Sequence, residues 1–391
     1  MDASLVLFAY EFPPGSGGIA RLCAGIREAY RKQRRDLRVL TQQPEPPGAG
    51  AEPGLVRVPA ARPLREWAAF AWLCRQPSEV AVICGLWYPE GLIASLSGRR
   101  QRVILAHGAE LFPPVARWRR PLWAILQRWV LEGAQLVVAN SEYTRQLVLR
   151  VAPRARVEAI PLAVDHERFA PGDREAAKRR LGLAGKRVVS TVSRIHGYKG
   201  HELVLRALSQ LGPEERAALV YVVAGTGPYE AELKRLTRLL GLESMVRWYG
   251  FVPEQRLSLL YQASDLFALC SRELPAQRAV EGFGLALLEA QACGTPAVGT
   301  RTGGIAAALE DGDGGWLLEP NDSPALARIL RELVRAPEKI RAVGMQARQR
   351  VLREHTWPRY ISRFSDAIDG ALGGNLHRGA IAEARSLRHD S

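Results

Sequence analysis

The residue types with the clearest chemical use lie in residues 281–296, EGFGLALLEAQACGTP. Glu281 sits in a glycine-bearing loop, and Glu289 lies eight positions on, inside the helix-forming run LALLEAQA. Gly282 and Gly284 let the backbone turn and approach a ligand with no Cβ in the way. The first amides of a helix starting at Leu285 have no partner of their own, and such amides bind phosphate. A carboxylate beside them can accept hydrogen bonds from sugar or ribose hydroxyls. The spacing alone also fits a buried helix with two solvated acids.

Four further loops offer matching chemistry, each open to a plainer reading. Gly15-Ser16-Gly17-Gly18 follows an apolar run and opens a helical pattern, which suits a phosphate cradle or a mere turn. It lacks the Lys-Ser/Thr ending of a Walker loop and the spacing of a dinucleotide fingerprint. His107, in HGAE, closes the run RVILA, where a histidine serves substrate or simply packs. Arg194 and Lys199, in SRIHGYKGHE, can grip a diphosphate, the guanidinium in a fork and the ammonium as a point charge. They can equally be two solvated cations. His196 and His201 lie nearby, without a third ligand at zinc spacing. Gly225-Thr226-Gly227-Pro228 alone is a tight turn into a helix.

These loops need a scaffold that presents them together, and the pattern supplies one. Short apolar runs at 4–10, 37–41, 81–85, 102–108 and 136–140 alternate with helical segments. The theme restarts after Pro161 with runs at 187–195, 219–225, 246–252, 266–271 and 296–300. Such alternation predicts α/β architecture with parallel, doubly wound sheets, whose ligands bind at the carboxyl ends of strands. With 391 residues, two Rossmann-like domains are expected, joined near 161–175. The expected spans are 1–165 and 166–357. A helix at 358–372 is expected to pack back on the first domain, followed by a polar tail at 373–391. The Pro/Gly tract PEPPGAGAEPG (44–54) is expected to be a loop.

Composition narrows the partners. A net charge of +14 favours anionic ligands or surfaces, and residues 1–170 hold 23 Lys/Arg against 15 Asp/Glu. No helix-turn-helix, zinc-finger or RNP-like signature accompanies the charge, so nucleic acid is not an expected partner. The five cysteines are scattered, with no C-x-x-C pair, which fits a reducing cytoplasm. The start MDASLVLFAY lacks a basic signal-peptide region, and no apolar run is long enough to span a bilayer. PVARWRRPLWAILQRWVLEG (114–133) joins a basic cluster to a Trp-rich helix starting at Pro121. It suits a peripheral membrane contact or a core helix, and RKQRRDLR (31–38) adds to a basic N-terminal face.

In their joint order, these segments resemble the family-4 glycosyltransferases, retaining enzymes of the GT-B fold. The likeness spans nearly the whole chain: the GG loop, HGxE, SR…YKG, GTGP, GFVP, E-x7-E with ACGTPAVG, Gly303-Gly304 and DGxxG at 311–315. The resemblance implies two Rossmann-like domains facing across a cleft, with a nucleoside-diphosphate sugar, GDP- or UDP-linked, held mainly by the second. Carried over, Arg194 and Lys199 neutralise the donor diphosphate and stabilise the leaving group. Glu281 contacts the transferred sugar and Glu289 the ribose. Amides of Phe283, Gly284 and Leu285 meet the phosphates, and the backbone near Val252 meets the base. Gly17 and Gly18 close over the donor, and His107 sits near the sugar and the acceptor hydroxyl. The family needs no separate nucleophile and no bound metal, which agrees with the missing D-x-D site.

Within the family, the FPPGSGG opening and the loop SRELPAQRAVE (271–281) look most like the phosphatidylinositol mannosyltransferase-like branch. That points to GDP-mannose, to a glycan or lipid-linked acceptor and to polysaccharide or cell-envelope synthesis. The implied location is the cytoplasm, at the inner face of the membrane. Two alternatives compete: a nucleotide-sugar 2-epimerase on the same architecture, and a non-catalytic basic module binding glycan or nucleic acid. The epimerase would make product without an acceptor, and the module gives no reason for Arg194, Lys199 and Glu281 to converge.

Overall fold

The structure, a computed structural model, describes residues 5–15, 17–33, 37–42, 52–114, 116–274 and 277–373. The expectations for Ser16, for much of the 31–38 basic run and the 44–54 tract, and for the tail beyond Gly373 lie outside them. Two compact units result: residues up to Ile160 together with those from Trp357, and residues Pro161–Thr356.

The first unit is built on seven parallel strands: β1 (Leu5–Phe8), β2 (Leu37–Thr41), β3 (Leu55–Arg57), β4 (Ala81–Cys84), β5 (Arg102–Ala106), β6 (Leu136–Ala139) and β7 (Val157–Ala159). Their order is β3-β2-β1-β4-β5-β6-β7, with Leu5 opposite both Leu37 and Ala81. The central strands are buried at every position, the mark of a parallel sheet covered on both faces. Helices α1 (Gly18–Lys32), α2 (Leu64–Cys74), α3 (Leu92–Leu96), α4 (Arg120–Glu132) and α5 (Glu142–Val151) make the crossovers. Val6, Phe8, Val82 and Ile104 share one core with Leu73 of α2, Ile93 of α3, Val130 of α4 and Leu147 of α5. That places α2 to α5 on one face. Connections toward β2 run the other way, so right-handed crossover puts α1 on the opposite face.

The second unit carries β8 (Arg187–Val192), β9 (Leu219–Ala224), β10 (Val246–Gly250), β11 (Leu266–Leu269), β12 (Ala297–Thr300) and β13 (Gly315–Leu318). The order is β10-β9-β8-β11-β12-β13, all parallel. Its helices are α6 (Arg174–Arg180), α7 (His201–Ser209), α8 (Pro213–Ala218), α9 (Glu230–Leu239), α10 (Glu254–Ala263), α11 (Leu285–Ala292), α12 (Ile305–Ala308), α13 (Ser323–Arg335) and α14 (Pro337–Glu354). Asp173 and Asp322 cap α6 and α13 by accepting the amides of Ala176 and Ala325.

The last helix, α15 (Trp357–Ala371), belongs to the first unit and packs on α1. A Cβ on Gly25 would lie 2.0 Å from the Trp357 ring, so this contact requires a glycine in α1. β3, β7 and β13, absent from the strand reading of the sequence, are all edge strands of three or four residues.

Candidate active site

In the second unit, β8 has β9 on one side and β11 on the other. Crossovers therefore reverse direction between β8 and β11, and the loops leaving these two strands flank the switch point where doubly wound sheets bind ligands. The β8 loop carries Arg194 and Lys199; the β11 loop carries Glu281 and the glycines before α11.

The β8 loop is held by backbone contacts that only glycines permit. Ser193 N–H donates to Ala224 O at 3.0 Å and Ile195 N–H to Thr226 O at 2.9 Å. A Cβ on Gly225 would lie 1.9 Å from Ser193 O, and one on Gly227 would lie 2.2 Å from Ile195 O. The GTGP segment is thus the brace of the Arg194 loop. Gly200 takes φ 78°, with its missing Cβ 1.7 Å from Cys270 O. His201 is buried and bonds through its two ring nitrogens to Ser193 Oγ (3.1 Å) and Tyr221 Oη (3.0 Å). Burial, helped by the Lys199 charge, pulls its pKa down to about 4, so the imidazole is neutral at pH 7. Arg194 stands exposed, and no acidic side chain among the described residues pairs with it.

Lys199 and Glu281 meet across the switch point, Nζ to Oε2 at 2.5 Å, with side chains 12% and 16% exposed. Burial acts to lower the Lys199 pKa, but the charge of Glu281 and its hydrogen bond outweigh it, and the net shift is upward. The ammonium is also 5.0 Å from the Tyr198 ring centroid, a cation–π contact. Arg272, from the β11 loop, fastens the two loops together. Its Nε donates to Gly197 O at 2.9 Å, and its backbone N–H donates to Tyr198 O at 2.7 Å.

Glu281 is fixed from behind by the Gly303-Gly304 turn. Gly304 N–H donates to Glu281 O at 2.8 Å, and a Cβ on Gly303 would lie 2.3 Å from that oxygen. Gly284, at φ 92°, opens α11, whose N-terminus carries no side-chain cap. The amides of Leu285 and its neighbours are the phosphate donors expected there. Phe283 is buried, its ring 6.2 Å from that of His355. Glu289 lies one turn further along α11 and is 2% exposed. Its Oε2 accepts from Tyr261 Oη at 2.7 Å. Val252 follows β10, half-buried on the same carboxyl edge, next to Phe251, which is 70% exposed.

In the first unit, Gly17 precedes α1 at φ 129°, and a Cβ on Gly17 or Gly18 would meet nothing within 4 Å. α1 has no side-chain cap. His107 follows β5, and its Nε2 lies 2.9 Å from Gly85 O. A carbonyl only accepts, so Nε2 carries the hydrogen in this contact. Glu110 accepts the His107 amide at 2.6 Å, which gives the HGAE acid a backbone role. Glu90, 1% exposed, accepts Tyr10 N–H at 3.1 Å.

Sequence reasoning passed over Arg272, Tyr198, Tyr261 and Glu90 as site-building residues. Arg272 had a usable signal, its position just after β11, and Tyr198 adjoins Lys199; Tyr261 and Glu90 act through contacts distant in sequence. Among the described residues, no group of three or more His, Cys, Asp or Glu could hold a metal ion. No described helix is long and apolar enough to cross a membrane. All five cysteines are free, four of them buried.

Two family profiles match the chain: Glycosyltransferase Family 4 over residues 16–168, and Glycosyl transferases group 1 over residues 173–350. A GDP-mannose-dependent alpha-(1-6)-phosphatidylinositol monomannoside mannosyltransferase of Mycolicibacterium smegmatis is 32% identical over 286 residues, 72% of this chain and 73% of that one. D-inositol 3-phosphate glycosyltransferase 2 of Catenulispora acidiphila is 33% identical over 271 residues, 66% of this chain and 60% of that one. Among solved structures, sucrose-phosphate synthase from Thermosynechococcus elongatus superposes with a TM-score of 0.77 at 20% identity, covering 93% of this chain and 97% of that one. At that identity the superposition speaks for the fold alone.

Proposed function

The chain belongs to the family-4 glycosyltransferases of GT-B fold, in the phosphatidylinositol mannosyltransferase-like branch, and we propose on that premise how it transfers a hexose. It is a retaining enzyme that uses a nucleoside-diphosphate sugar. The donor we propose is GDP-mannose, supported by the mannosyltransferase relative. The acceptor is a hydroxyl of a glycan or lipid-linked sugar at the cytoplasmic face of a membrane. Nucleic acid has no part in this reading.

The observation that carries the proposal is the Lys199–Glu281 pair at the switch point, with unpaired Arg194 on the same loop and uncapped α11 beside it. Arg194 and Lys199 take the diphosphate, whose anionic oxygens replace Glu281 as partner of the ammonium as negative charge grows on the leaving group. No metal is needed in that role. Amides of Phe283, Gly284 and Leu285 bind phosphate oxygens. Glu281 turns from Lys199 toward the sugar hydroxyls, and Glu289, oriented by Tyr261, serves the ribose. The backbone at Val252 faces the base. Gly17 and Gly18 offer amides to the donor, and His107 places the acceptor hydroxyl. The C1–O bond to the diphosphate breaks while the acceptor oxygen bonds to C1 on the same face. The acceptor proton passes to the leaving phosphate oxygen, so no enzyme nucleophile is required.

Transfer of labelled mannose from GDP-mannose, with UDP-glucose in parallel, into lipid and glycan fractions tests this reading. An α-linked product identified by NMR is the expected result. A β-linked product, or sugar release that never needs an acceptor, would overturn it.

A further inference from the structure

Behind Arg194 the second unit holds a hydrogen-bonded relay whose direction is fixed by its ends. Thr191 Oγ1 lies 2.7 Å from Ala268 O and 2.9 Å from Tyr221 Oη. A carbonyl only accepts, so the single Thr191 hydrogen goes to Ala268 O, and the contact with Tyr221 must use the tyrosine hydrogen. Tyr221 Oη can then only accept from His201 Nδ1, 3.0 Å away, which places the imidazole hydrogen on Nδ1. Nε2 is left bare, and Ser193 Oγ, at 3.1 Å, donates to it. Arg194 O lies at the same 3.1 Å from Oγ, but giving it the hydrogen would leave Nε2 facing oxygen lone pairs.

Thr191, Tyr221 and His201 are buried, and Ser193 is the half-buried end of the relay, directly before Arg194. Its amide is bonded to Ala224 O and its carbonyl rests against Gly225, so Oγ is held beside the Arg194 loop. With its hydrogen turned inward, Oγ offers only lone pairs to a ligand, and lone pairs repel phosphate. The relay can reverse. Tyr221 turns its hydrogen from Thr191 to Nδ1, while the imidazole loses a hydrogen at Nδ1 and gains one at Nε2 by exchange with water. Nε2 then donates to Ser193 Oγ, and the serine hydrogen turns outward; no proton is gained or lost overall. The one contact given up is the neutral Tyr221–Thr191 bond. A charge-assisted bond from Ser193 to phosphate, roughly twice as strong, replaces it. Burial and the Lys199 charge oppose a second proton on the ring, which favours reversal over protonation.

We propose that Ser193 is a further diphosphate-binding residue, and that donor binding moves the His201 hydrogen from Nδ1 to Nε2. His201 is its positioning residue. This inference rests on the donor site proposed above and adds a hydroxyl to its charged groups.

The test is 15N NMR of the full chain labelled at the histidine ring nitrogens, where protonated and bare nitrogens resonate far apart. The signals lost in His201→Gln assign the ring. The free protein should show a hydrogen on Nδ1, and saturation with GDP or UDP should move it to Nε2. Ser193→Ala should bind GDP, UDP and inorganic pyrophosphate about tenfold or more weakly. Saturated with nucleotide, that variant should keep the hydrogen on Nδ1, a readout that loop distortion alone would not produce. Failure of the wild type to bind either nucleotide would overturn the donor site and this inference together. Binding that leaves Nδ1 protonated, or protonates both ring nitrogens, would overturn this inference alone. So would equal affinity of wild type and Ser193→Ala.

Discussion

Replacing Lys199 by methionine keeps the stem and removes the charge, leaving the Glu281 carboxylate in place. Breaking a fully buried ion pair by removing one partner costs ~3–5 kcal/mol. With 12% and 16% exposure, water reaches this pair, and about 2 kcal/mol is the reasoned loss. In a unit of this length, such a loss lowers Tm by roughly 4–8 °C. Glu281→Gln should cost less, because its amide oxygen still accepts from the ammonium. The double variant should therefore lose less than the sum, with a coupling of about 1–2 kcal/mol. The pH dependence has a definite sign. A lysine whose folded pKa is raised contributes stability that is complete below its unfolded value and is lost as pH rises through the folded one. The difference between wild type and Lys199→Met should thus be flat through neutral pH and shrink only above the usual lysine value of 10.5. Urea denaturation of the four proteins across pH measures this. Strict additivity of the two single variants, or a difference that fades near pH 7, would refute the reasoning.

Gly200→Ala places a methyl 1.7 Å from a backbone carbonyl at positive φ and should destroy the folded second unit, read as loss of cooperative melting. Gly17→Ala meets no neighbour and should cost only ~1–3 kcal/mol of backbone strain, so the folded protein should survive with reduced kcat/KM. Burial raises the Glu90 pKa to about 7, so ionising it costs folding free energy as pH climbs. Glu90→Gln should therefore gain stability above pH 7, by up to about 3 kcal/mol, and lose the advantage near pH 4, as chemical denaturation at both values would show. Tyr261→Phe removes a hydroxyl that serves buried Glu289 and should cost ~1–3 kcal/mol, with a raised KM for donor in initial-rate assays.

Most of the architecture was legible because the central strands are unbroken apolar runs bounded by helical periods. Three of the four edge strands, β3, β7 and β13, were not. β3 and β7 have three residues each and no buried position, too little for a hydrophobic pattern to show. α4 shows a different limit. Two apolar stripes repeat with the same helical period, and periodicity does not say which of them a core will cover. The site was legible where the chemistry is carried by charge, at Arg194, Lys199 and Glu281. It was opaque where it is carried by sterics between distant loops. Gly225 and Gly227 looked like an isolated turn, yet their absent side chains leave room for the backbone of 193–195. Tyr261 and Arg272 act through partners that only the fold brings near.

In the proposed function, the carboxyl edge of the second sheet binds a nucleoside diphosphate through Arg194 and Lys199. Calorimetric titration of GDP and UDP, without added metal, into wild type and Arg194→Ala tests it directly. Saturable binding of at least one nucleotide to the wild type is expected, with about a tenfold or greater loss of affinity in the variant. Failure of both nucleotides to bind, or equal affinity in the two proteins, would contradict it.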